Sequence, residues 1–247
     1  MRLKNEIAIV TGAGKGIGRE IAMSIAREGG IVIAVARTQS DLNETVALIK
    51  ENGGEAIALS RDLTDATQVQ SMVDVVIEKF GKIDILINNA GGYPKEIYDN
   101  IEHQAIKIWD WTEEQWDQII KTNLKIPFLC TNKVVPEMIK MRKGKIINIS
   151  SRMGRIASQM GAYACAKSAI ITLTKTTAIQ AQEYGIQCNA IAPGILDTPG
   201  QRVYNHSVNQ DDIKMGNVEC MGKAALYLLC DTPDIMTGQV IDIFTTL

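Results

Sequence analysis

Short apolar runs rich in Val and Ile recur along the chain, with longer segments of helical spacing between them. The runs are IAIV at 7, IVIAVA at 31, AIALS at 56, IDILINNA at 83, KIINIS at 145, IQCNAIAP at 186 and QVIDIF at 239. Unbroken apolar runs of this length are typical of strands buried on both faces, as in a parallel sheet. Between them, residues such as Val69, Met72, Val73 and Val76 share one helical face. The pattern therefore alternates strand and helix.

This alternation predicts an α/β fold, a doubly wound seven-stranded parallel sheet (Rossmann fold) with helices on both faces. Right-handed crossovers between parallel strands place helices on both sides of such a sheet. The 247 residues suit one domain, 1–247, and the composition gives no reason to divide it. Ligands of these folds bind outside the carboxyl ends of the strands, which is where we expect the site.

The net charge and the hydropathy pattern limit the kinds of binding partner that we expect. The net charge of −2 offers no field for nucleic acid or an anionic membrane. The first ten residues, MRLKNEIAIV, carry charges where a signal peptide needs an apolar stretch, and no run approaches the roughly 18 apolar residues of a membrane span. We expect a cytoplasmic protein that binds a small molecule, with no nucleic-acid or membrane partner.

The metal-ligating residue types are sparse. The 5 cysteines are odd in number and widely spaced, and no CxxC occurs among them. The two histidines, His103 and His206, lie far apart in the sequence. These spacings predict neither a disulfide framework nor a metal site.

The first strand runs into TGAGKGIGRE, a glycine-rich turn that opens a helix. Gly12, Gly16 and Gly18 would let the backbone turn sharply, approach a pyrophosphate and pack the helix closely on the strand. The GxxxxGK[ST] pattern of a nucleoside-triphosphate loop is absent. A tight strand-to-helix connection without a ligand would also use such glycines, so the turn alone is weak support for a dinucleotide site.

Two cations near this turn favour NADP(H) over NAD(H). The second strand ends at Ala36, where a fold selective for NAD would carry an acid for the ribose 2′-hydroxyl, and Arg37 follows instead. With Lys15 inside the glycine turn, two cations could flank a 2′-phosphate. The alternative is that both are solvated surface charges.

The stretch YACAK sets Tyr163 and Lys167 four residues apart, on one face of a helix. A nearby ammonium favours a phenolate, so we expect Lys167 to lower the phenol's pKa from its ordinary value of about 10 toward the range of a general acid. Alone, such a pair is common on helix surfaces, so its meaning depends on its neighbours.

Those neighbours are NNAG at 88–91, NISS at 148–151 and NAIAPG at 189–194, each at the carboxyl end of a predicted strand. Together with TGAGKGIG, YACAK and Asn123 in IIKTNLK, they resemble the short-chain dehydrogenase/reductase family over nearly the whole chain. The pattern is similar to the single-domain, NADP(H)-preferring type that includes 3-oxoacyl thioester reductases. The resemblance implies an oxidoreductase that interconverts a ketone and a secondary alcohol by hydride transfer.

The same resemblance implies four catalytic residues. Tyr163 would donate a proton to the carbonyl being reduced, and Lys167 would lower its pKa and hold the nicotinamide ribose. Ser151 would polarise the substrate oxygen, and Asn123 would anchor a water that links Lys167 to solvent.

It also implies cofactor contacts along the whole edge of the sheet, from the adenine (Asp62 and Leu63) to the nicotinamide (Pro193 onward). They are Gly12, Lys15, Gly16, Ile17, Gly18, Arg37, Asp62, Leu63, Asn89, Ala90, Gly91, Tyr163, Lys167, Pro193, Gly194, Ile195 and Thr198. A 3-oxoacyl thioester is the leading substrate class and a cyclic ketone the next. A non-catalytic NADP(H)-binding sensor or scaffold is the alternative function.

The catalytic serine is ambiguous in the sequence. The local motif selects Ser151, whereas the spacing to Tyr163 selects Ser150. We prefer Ser151, because a loop between 155 and 162 tolerates a missing residue better than a strand end does. Alternation along the strand aims the two serines to opposite sides, so only one can serve.

Three other regions depart from the family pattern. The segment from Gly91 to Asn123 is about ten residues longer than usual, which indicates an insertion within 92–115. The aromatic residues there could line a substrate pocket, cover a neighbouring subunit or anchor the segment to its own domain. The loop after PGILDTPG is short, and the tail FTTL lacks a glycine pair.

Helices at 128–141 and 160–184 would form the interfaces of a homotetramer or homodimer.

Overall fold

The computed structural model describes residues 1–93, 107–156, 160–207 and 212–244. Within these ranges, seven strands form one parallel sheet in the order β3-β2-β1-β4-β5-β6-β7. The strands are β1 (Ile7–Thr11), β2 (Ile31–Ala36), β3 (Glu55–Ser60), β4 (Ile85–Asn88), β5 (Gly144–Ile149), β6 (Ile186–Pro193) and β7 (Val240–Ile243). Each corresponds to one of the apolar runs, so the predicted sheet is confirmed.

Helices cover both faces of the sheet. The α-helices of the described residues are α1 (Gly16–Arg27), α2 (Gln39–Glu51), α3 (Ala66–Phe80), α4 (Glu113–Ile120), α5 (Ile126–Met141), α6 (Gly161–Ala181), α7 (Pro199–Ser207) and α8 (Glu219–Leu226). A π-helical turn (Lys121–Lys125) joins α4 to α5, and a 3₁₀ turn (Arg152–Gly154) follows β5. The doubly wound architecture expected from the alternating pattern is therefore present.

The core is divided by the sheet into two apolar layers. Along β1, Ala8 and Val10 join the layer under α1, α2 and α8, whereas Ile7 and Ile9 join the layer under α3, α5 and α6. All five residues of β1 and all eight of β6 are buried. Burial on both faces explains why these strands read as unbroken apolar runs.

The strand order reverses between β1 and β4, where ligands of such sheets bind. The hydroxyl of Thr11, the last residue of β1, donates to the carbonyl of Ile87 at 3.0 Å. It accepts hydrogen bonds from the backbone N–H groups of Asn89 (2.9 Å) and Ala90 (3.0 Å). One side chain thus joins the two strand ends and holds the cleft between them in shape.

Part of the predicted insertion, with Tyr98 and His103, lies outside the described residues. Trp109 is exposed, whereas Trp111 packs where a Cβ on Gly161 would lie only 2.7 Å from its Nε1. Trp116 is partly buried against a small apolar cluster that includes Ile119. Two of these tryptophans therefore anchor the region around α4 to its own domain.

Within the ranges given above, no helix is long and apolar enough to span a membrane. Over the same part of the chain, no group of three or more His, Cys, Asp or Glu side chains could hold a metal ion.

Candidate active site

The glycine turn between β1 and α1 has no room for side chains. Gly12 adopts φ +66°, and a Cβ on it would lie 2.7 Å from Asn89 Nδ2. A Cβ on Gly18 would lie 2.3 Å from the carbonyl oxygen of Gly12. Asn89 Nδ2 also donates to the carbonyls of Thr11 (3.0 Å) and Gly12 (3.2 Å). The turn presents bare backbone beside the start of α1, which is a favourable arrangement for a phosphate group.

Asn123 clamps the loop that follows β4. Its side chain is fully buried within the π-helical turn. The Oδ1 atom accepts from the N–H of Gly92 at 2.8 Å, while Nδ2 donates to the carbonyls of Gly92 (2.8 Å) and Ile119 (3.1 Å). Gly91 lies close by, since a Cβ on it would be 2.8 Å from Oδ1 and 3.6 Å from Lys167 Nζ. The amide is thus used for positioning the backbone.

Tyr163 and Lys167 lie one turn apart near the start of α6. The Nζ atom of Lys167 is 5.5 Å from the centroid of the Tyr163 ring and donates to the carbonyl of Ile149, the last residue of β5, at 3.0 Å. Only 3% of Lys167 is exposed. The predicted pair is therefore on one helical face, with its ammonium end inside the protein.

The two candidate serines make different contacts, as strand alternation predicts. The Ser151 side chain is the polar neighbour that acts on the phenol of Tyr163, and its hydroxyl accepts from the N–H of Met153 at 3.2 Å. The Ser150 hydroxyl is buried and donates to the backbone carbonyl of Lys167 at 2.7 Å. The structure brings Ser151 to the phenol and leaves Ser150 as a tie between β5 and α6.

The expected lowering of the Tyr163 pKa is wrong for this geometry. Burial raises the pKa of Tyr163 to about 12, and the hydrogen bond from Ser151 opposes that rise only in part. Burial also lowers the pKa of Lys167 to about 8. Both shifts have the same cause, because loss of water around these groups disfavours phenolate and ammonium alike; Lys167 is buried, while Tyr163 keeps part of its surface exposed. The ammonium faces the Ile149 carbonyl, and its attraction for a phenolate does not offset the loss of water.

A stack of tyrosines covers the phenol. The Tyr93 ring lies 5.2 Å from the ring of Tyr163 and 6.3 Å from that of Tyr204 on α7, with interplanar angles of 29° and 28°. The Tyr93 hydroxyl donates to the carbonyl of Met160 at 3.3 Å. Of the three open roles for the long segment, Tyr93 therefore fills two, as an anchor and as a wall of the cleft.

The two cations expected at the adenosine end, Arg37 and Lys15, are both exposed, but Lys15 lies near a carboxylate. Arg37 is exposed just after β2. Lys15 is exposed too, but its Nζ lies 3.7 Å from the Oδ2 atom of Asp41. Asp62 accepts from the N–H and hydroxyl of Thr64, both at 2.9 Å, and these bonds lower its pKa. Leu63 is buried in the core, so it can offer a ligand only its backbone.

The other end of the cleft is formed by the residues that follow β6. Gly194 donates its N–H to the carbonyl of Ile243 at 3.1 Å, next to buried Pro193 and half-buried Ile195. The Thr198 hydroxyl accepts from the N–H of Gln201 at 3.2 Å and so caps α7. The Cβ of Thr198 would lie only 3.3 Å from a Cβ on Gly16. The glycine turn, which includes half-buried Ile17, therefore faces this segment directly.

Three residues of this region were not found by sequence reasoning. Arg19 donates from Nε to the carbonyl of Gly14 at 3.0 Å and pairs with Glu44 at 2.8 Å, which fixes the glycine turn. Tyr204 completes the aromatic stack. Arg152 directly follows Ser151, and this adjacency in the sequence could have identified it as a candidate site residue.

Comparison with known proteins agrees with this geometry. The family model described as "short chain dehydrogenase" matches residues 6–209. The chain is 34% identical to the 3-oxoacyl-[acyl-carrier-protein] reductase FabG of Thermotoga maritima, over 98% of this chain and 98% of that protein. It is 33% identical to the FabG reductase of Staphylococcus aureus strain Mu50, over 96% and 95%.

Among solved structures, an actinorhodin polyketide ketoreductase with NADPH superposes with a TM-score of 0.87 at 25% identity, covering 97% of this chain and 95% of that one. A 3-oxoacyl-[acyl-carrier protein] reductase with bound NAD from Brucella melitensis has a TM-score of 0.85 at 28% identity, covering 98% and 90%. The two are named with different nucleotides, so likeness alone does not select one for this chain.

Proposed function

The chain belongs to the short-chain dehydrogenase family and is an oxidoreductase of CH–OH and C=O groups; from this premise we propose that it is an NADP(H)-dependent enzyme that interconverts a ketone and a secondary alcohol. The observation that carries the proposal is the grouping of Ser151, Tyr163 and Lys167, in which the Ser151 side chain acts on the phenol and the Lys167 Nζ lies 5.5 Å from the centroid of the phenol ring. A dinucleotide-binding sensor would have no need of that arrangement.

In the proposed mechanism, the Tyr163 hydroxyl donates a proton to the carbonyl oxygen of the ketone. A phenol whose pKa is about 12 stays protonated at neutral pH, so the acid form is ready. An alkoxide developing on the substrate is more basic than the phenolate left behind, so the proton moves to it. Ser151 donates to the same oxygen and stabilises the developing charge.

Lys167 stabilises the phenolate once the proton has left. With a pKa of about 8, it carries its charge at neutral pH. Asn123 binds both the N–H and the carbonyl of Gly92 and so fixes the backbone of this loop near Lys167. A water that returns a proton to Lys167 would contact the backbone of the π-helical turn, because the Asn123 amide already serves Gly92 and Ile119.

The bare cleft fits a dinucleotide. A Cβ would collide with Asn89 at Gly12 and with backbone at Gly18, as expected for the tight turn and the closely packed helix start that bring backbone N–H groups to a phosphate. The nicotinamide would supply the hydride. Arg37 and Lys15 flank the adenosine end, and a guanidinium suits a 2′-phosphate, which is the basis for NADP(H) over NAD(H).

The substrate class follows the relatives as a proposal. The curated relatives in Thermotoga and Staphylococcus are named as 3-oxoacyl-[acyl-carrier-protein] reductases. A 3-oxoacyl thioester is therefore the first candidate, and a cyclic ketone, which the tyrosine stack would accommodate against its rings, is the second.

We also propose a cytoplasmic homotetramer or homodimer. Phe128 and Met141 on α5 and Ile179 on α6 are exposed apolar side chains. They lie on the two helices that the sequence analysis assigns to interfaces, and pairing would cover them. Size-exclusion chromatography with light scattering tests this, and a stable monomer would contradict it.

The activity is tested by NADPH consumption with acetoacetyl-CoA and a panel of cyclic and linear ketones, beside NADH and beside Tyr163→Phe. We expect turnover with NADPH that falls at least about 1000-fold in the variant, since a general acid and an orienting hydrogen bond are lost together. Tight NADPH binding without turnover of any ketone would favour the sensor.

A further inference from the structure

Arg152 places a cation next to the catalytic serine in the chain, and the proposed reaction does not use it. It directly follows Ser151, whose hydroxyl meets the phenol of Tyr163. Its guanidinium carbon lies 5.4 Å from the centroid of the Phe244 ring, just beyond the end of β7. Phe244 in turn packs on Gly194, where an added Cβ would be 2.6 Å from its own Cβ. The cation therefore lies between the catalytic serine and the nicotinamide end of the cleft.

Among the described residues, no carboxylate neutralises this guanidinium. The Nε atom of Arg152 is shut off from solvent, and it has no hydrogen-bond partner within the described ranges. No carboxylate of those residues forms an ion pair with it. A buried donor without an acceptor lowers stability, so its retention calls for an explanation, and a functional role of the guanidinium is one.

Two other arginines near this site, Arg155 and Arg202, form ion pairs, so the lack of one at Arg152 within the described residues is not a general feature of the region. Arg155, three residues later, pairs with Asp242 through two hydrogen bonds of 2.9 and 3.2 Å. Arg202 on α7 pairs with Asp197. Both are structural ion pairs on the surface, whereas the contact of the Arg152 guanidinium in the described part of the chain is the Phe244 ring.

We propose that Arg152 binds a carboxylate of the substrate, so that the enzyme's ketone is a keto acid. The inference rests on the proposed oxidoreductase function and replaces its first candidate substrate, a neutral thioester, with a keto acid. A planar guanidinium offers paired donors to a carboxylate. With that carboxylate on Arg152, the ketone next to it is held at Ser151 and Tyr163. A neutral ester or thioester would leave the guanidinium without a counter-ion, and the site would disfavour it.

The test compares acids with their esters. Purified enzyme is assayed with 3-oxobutanoate, 4-oxopentanoate and their ethyl esters, using wild type, Arg152→Met, Arg152→Lys and the control Arg155→Met. We expect wild type to favour each acid, and Arg152→Met to lose about 10- to 100-fold in kcat/KM on acids, mainly through KM. Esters should change by less than about threefold, Arg152→Lys should keep part of the preference, and Arg155→Met should keep all of it.

Two results would overturn the inference: equal losses on acids and esters in Arg152→Met, or wild-type preference for the esters. An NADPH dissociation constant that rises in Arg152→Met as much as the KM for acids would assign the cation to a cofactor phosphate instead, and would also overturn it. Thermal unfolding of the variant confirms that it folds.

A binding measurement distinguishes failure of this inference from failure of the proposed function. Calorimetry of 4-oxopentanoate with the enzyme saturated with NADPH requires no turnover. If no ketone is reduced, the proposed function fails, yet carboxylate binding that is present in wild type and lost in Arg152→Met still supports the role of Arg152. Absent binding, or equal binding by both proteins, contradicts it.

Discussion

The ring of Tyr93 stacks on the ring of Tyr163, with centroids 5.2 Å apart. Tyr93 follows Gly92, whose N–H and C=O are both held by Asn123. Its hydroxyl reaches the carbonyl of Met160, immediately before α6. The loop after β4 is thus tied to the start of the helix that carries the phenol, and the direction of the phenol is set by a residue outside the family motifs.

Replacing Tyr93 with Ala should lower kcat by about 10-fold, because small misplacement of a catalytic group is costly. The lost stacking, worth about 0.5 to 1.5 kcal/mol, should also lower the Tm by a few degrees. Tyr93→Phe is the matched control: it keeps the ring and should stay within about threefold of wild type. Steady-state kinetics and calorimetry measure both effects. Full activity in the Ala variant would mean that Tyr163 is positioned without the stack.

The two serines should separate cleanly by mutation. Ser151→Ala removes the hydroxyl that contacts the phenol and should reduce kcat by about 100- to 1000-fold, the usual effect of losing one oxyanion donor. Ser150→Ala removes a tie to the Lys167 carbonyl and should cost about 1 kcal/mol of unfolding free energy while turnover continues. If Ser150→Ala abolishes turnover and Ser151→Ala does not, the assignment is reversed.

The sequence predicted the elements and their order because apolar runs and glycine turns are local signals. The positions of Tyr163 and Lys167 on one face followed from helical spacing alone. The direction of their pKa shifts did not, since it depends on how deeply β5, α6 and the loop after β4 bury them together. Likewise, Arg152 contacts Phe244, which is distant along the chain. This contact depends on how the sheet packs, so no local sequence pattern predicts it.

The buried Lys167 should make stability rise with pH. Its pKa is about 8 in the folded protein against an ordinary value of 10.5, so between these values the unfolded chain binds more protons than the folded one. The penalty for the buried ammonium is full below pH 8 and disappears as pH approaches 10.5. Between pH 7 and pH 10, wild type should therefore gain about 2 kcal/mol relative to Lys167→Met.

Urea unfolding of both proteins across that range measures the difference. The window ends at pH 10 because the pKa of Tyr163, raised to about 12, acts in the opposite direction above it. There the folded protein holds a proton that the unfolded chain has released, and stability falls as pH rises. Parallel curves for the two proteins between pH 7 and pH 10 would show that the ammonium is not destabilised by burial.

Arg37 should carry most of the preference for NADPH. It is exposed and has no ion pair within the described ranges, whereas Lys15 is paired with Asp41 at 3.7 Å. Arg37→Ala should reduce kcat/KM for NADPH by about 10- to 100-fold and for NADH by less than about threefold, because only NADPH brings the phosphate. Lys15→Ala should have a smaller effect on NADPH, about threefold, since Asp41 already competes for its charge.

Asp41 is the informative control, because it lies beside the glycine turn, where a Cβ on Gly14 would be 2.8 Å from its own Cβ. Asp41→Asn removes a negative charge next to the proposed phosphate position and releases Lys15. It should therefore increase the preference for NADPH over NADH by about threefold, and added salt should reduce that gain because the charges are exposed. Initial rates with both nucleotides at two salt concentrations measure this. A wild-type preference for NADH, or an Asp41→Asn variant that moves toward NADH, would contradict the assignment of Arg37 and Lys15 to a 2′-phosphate.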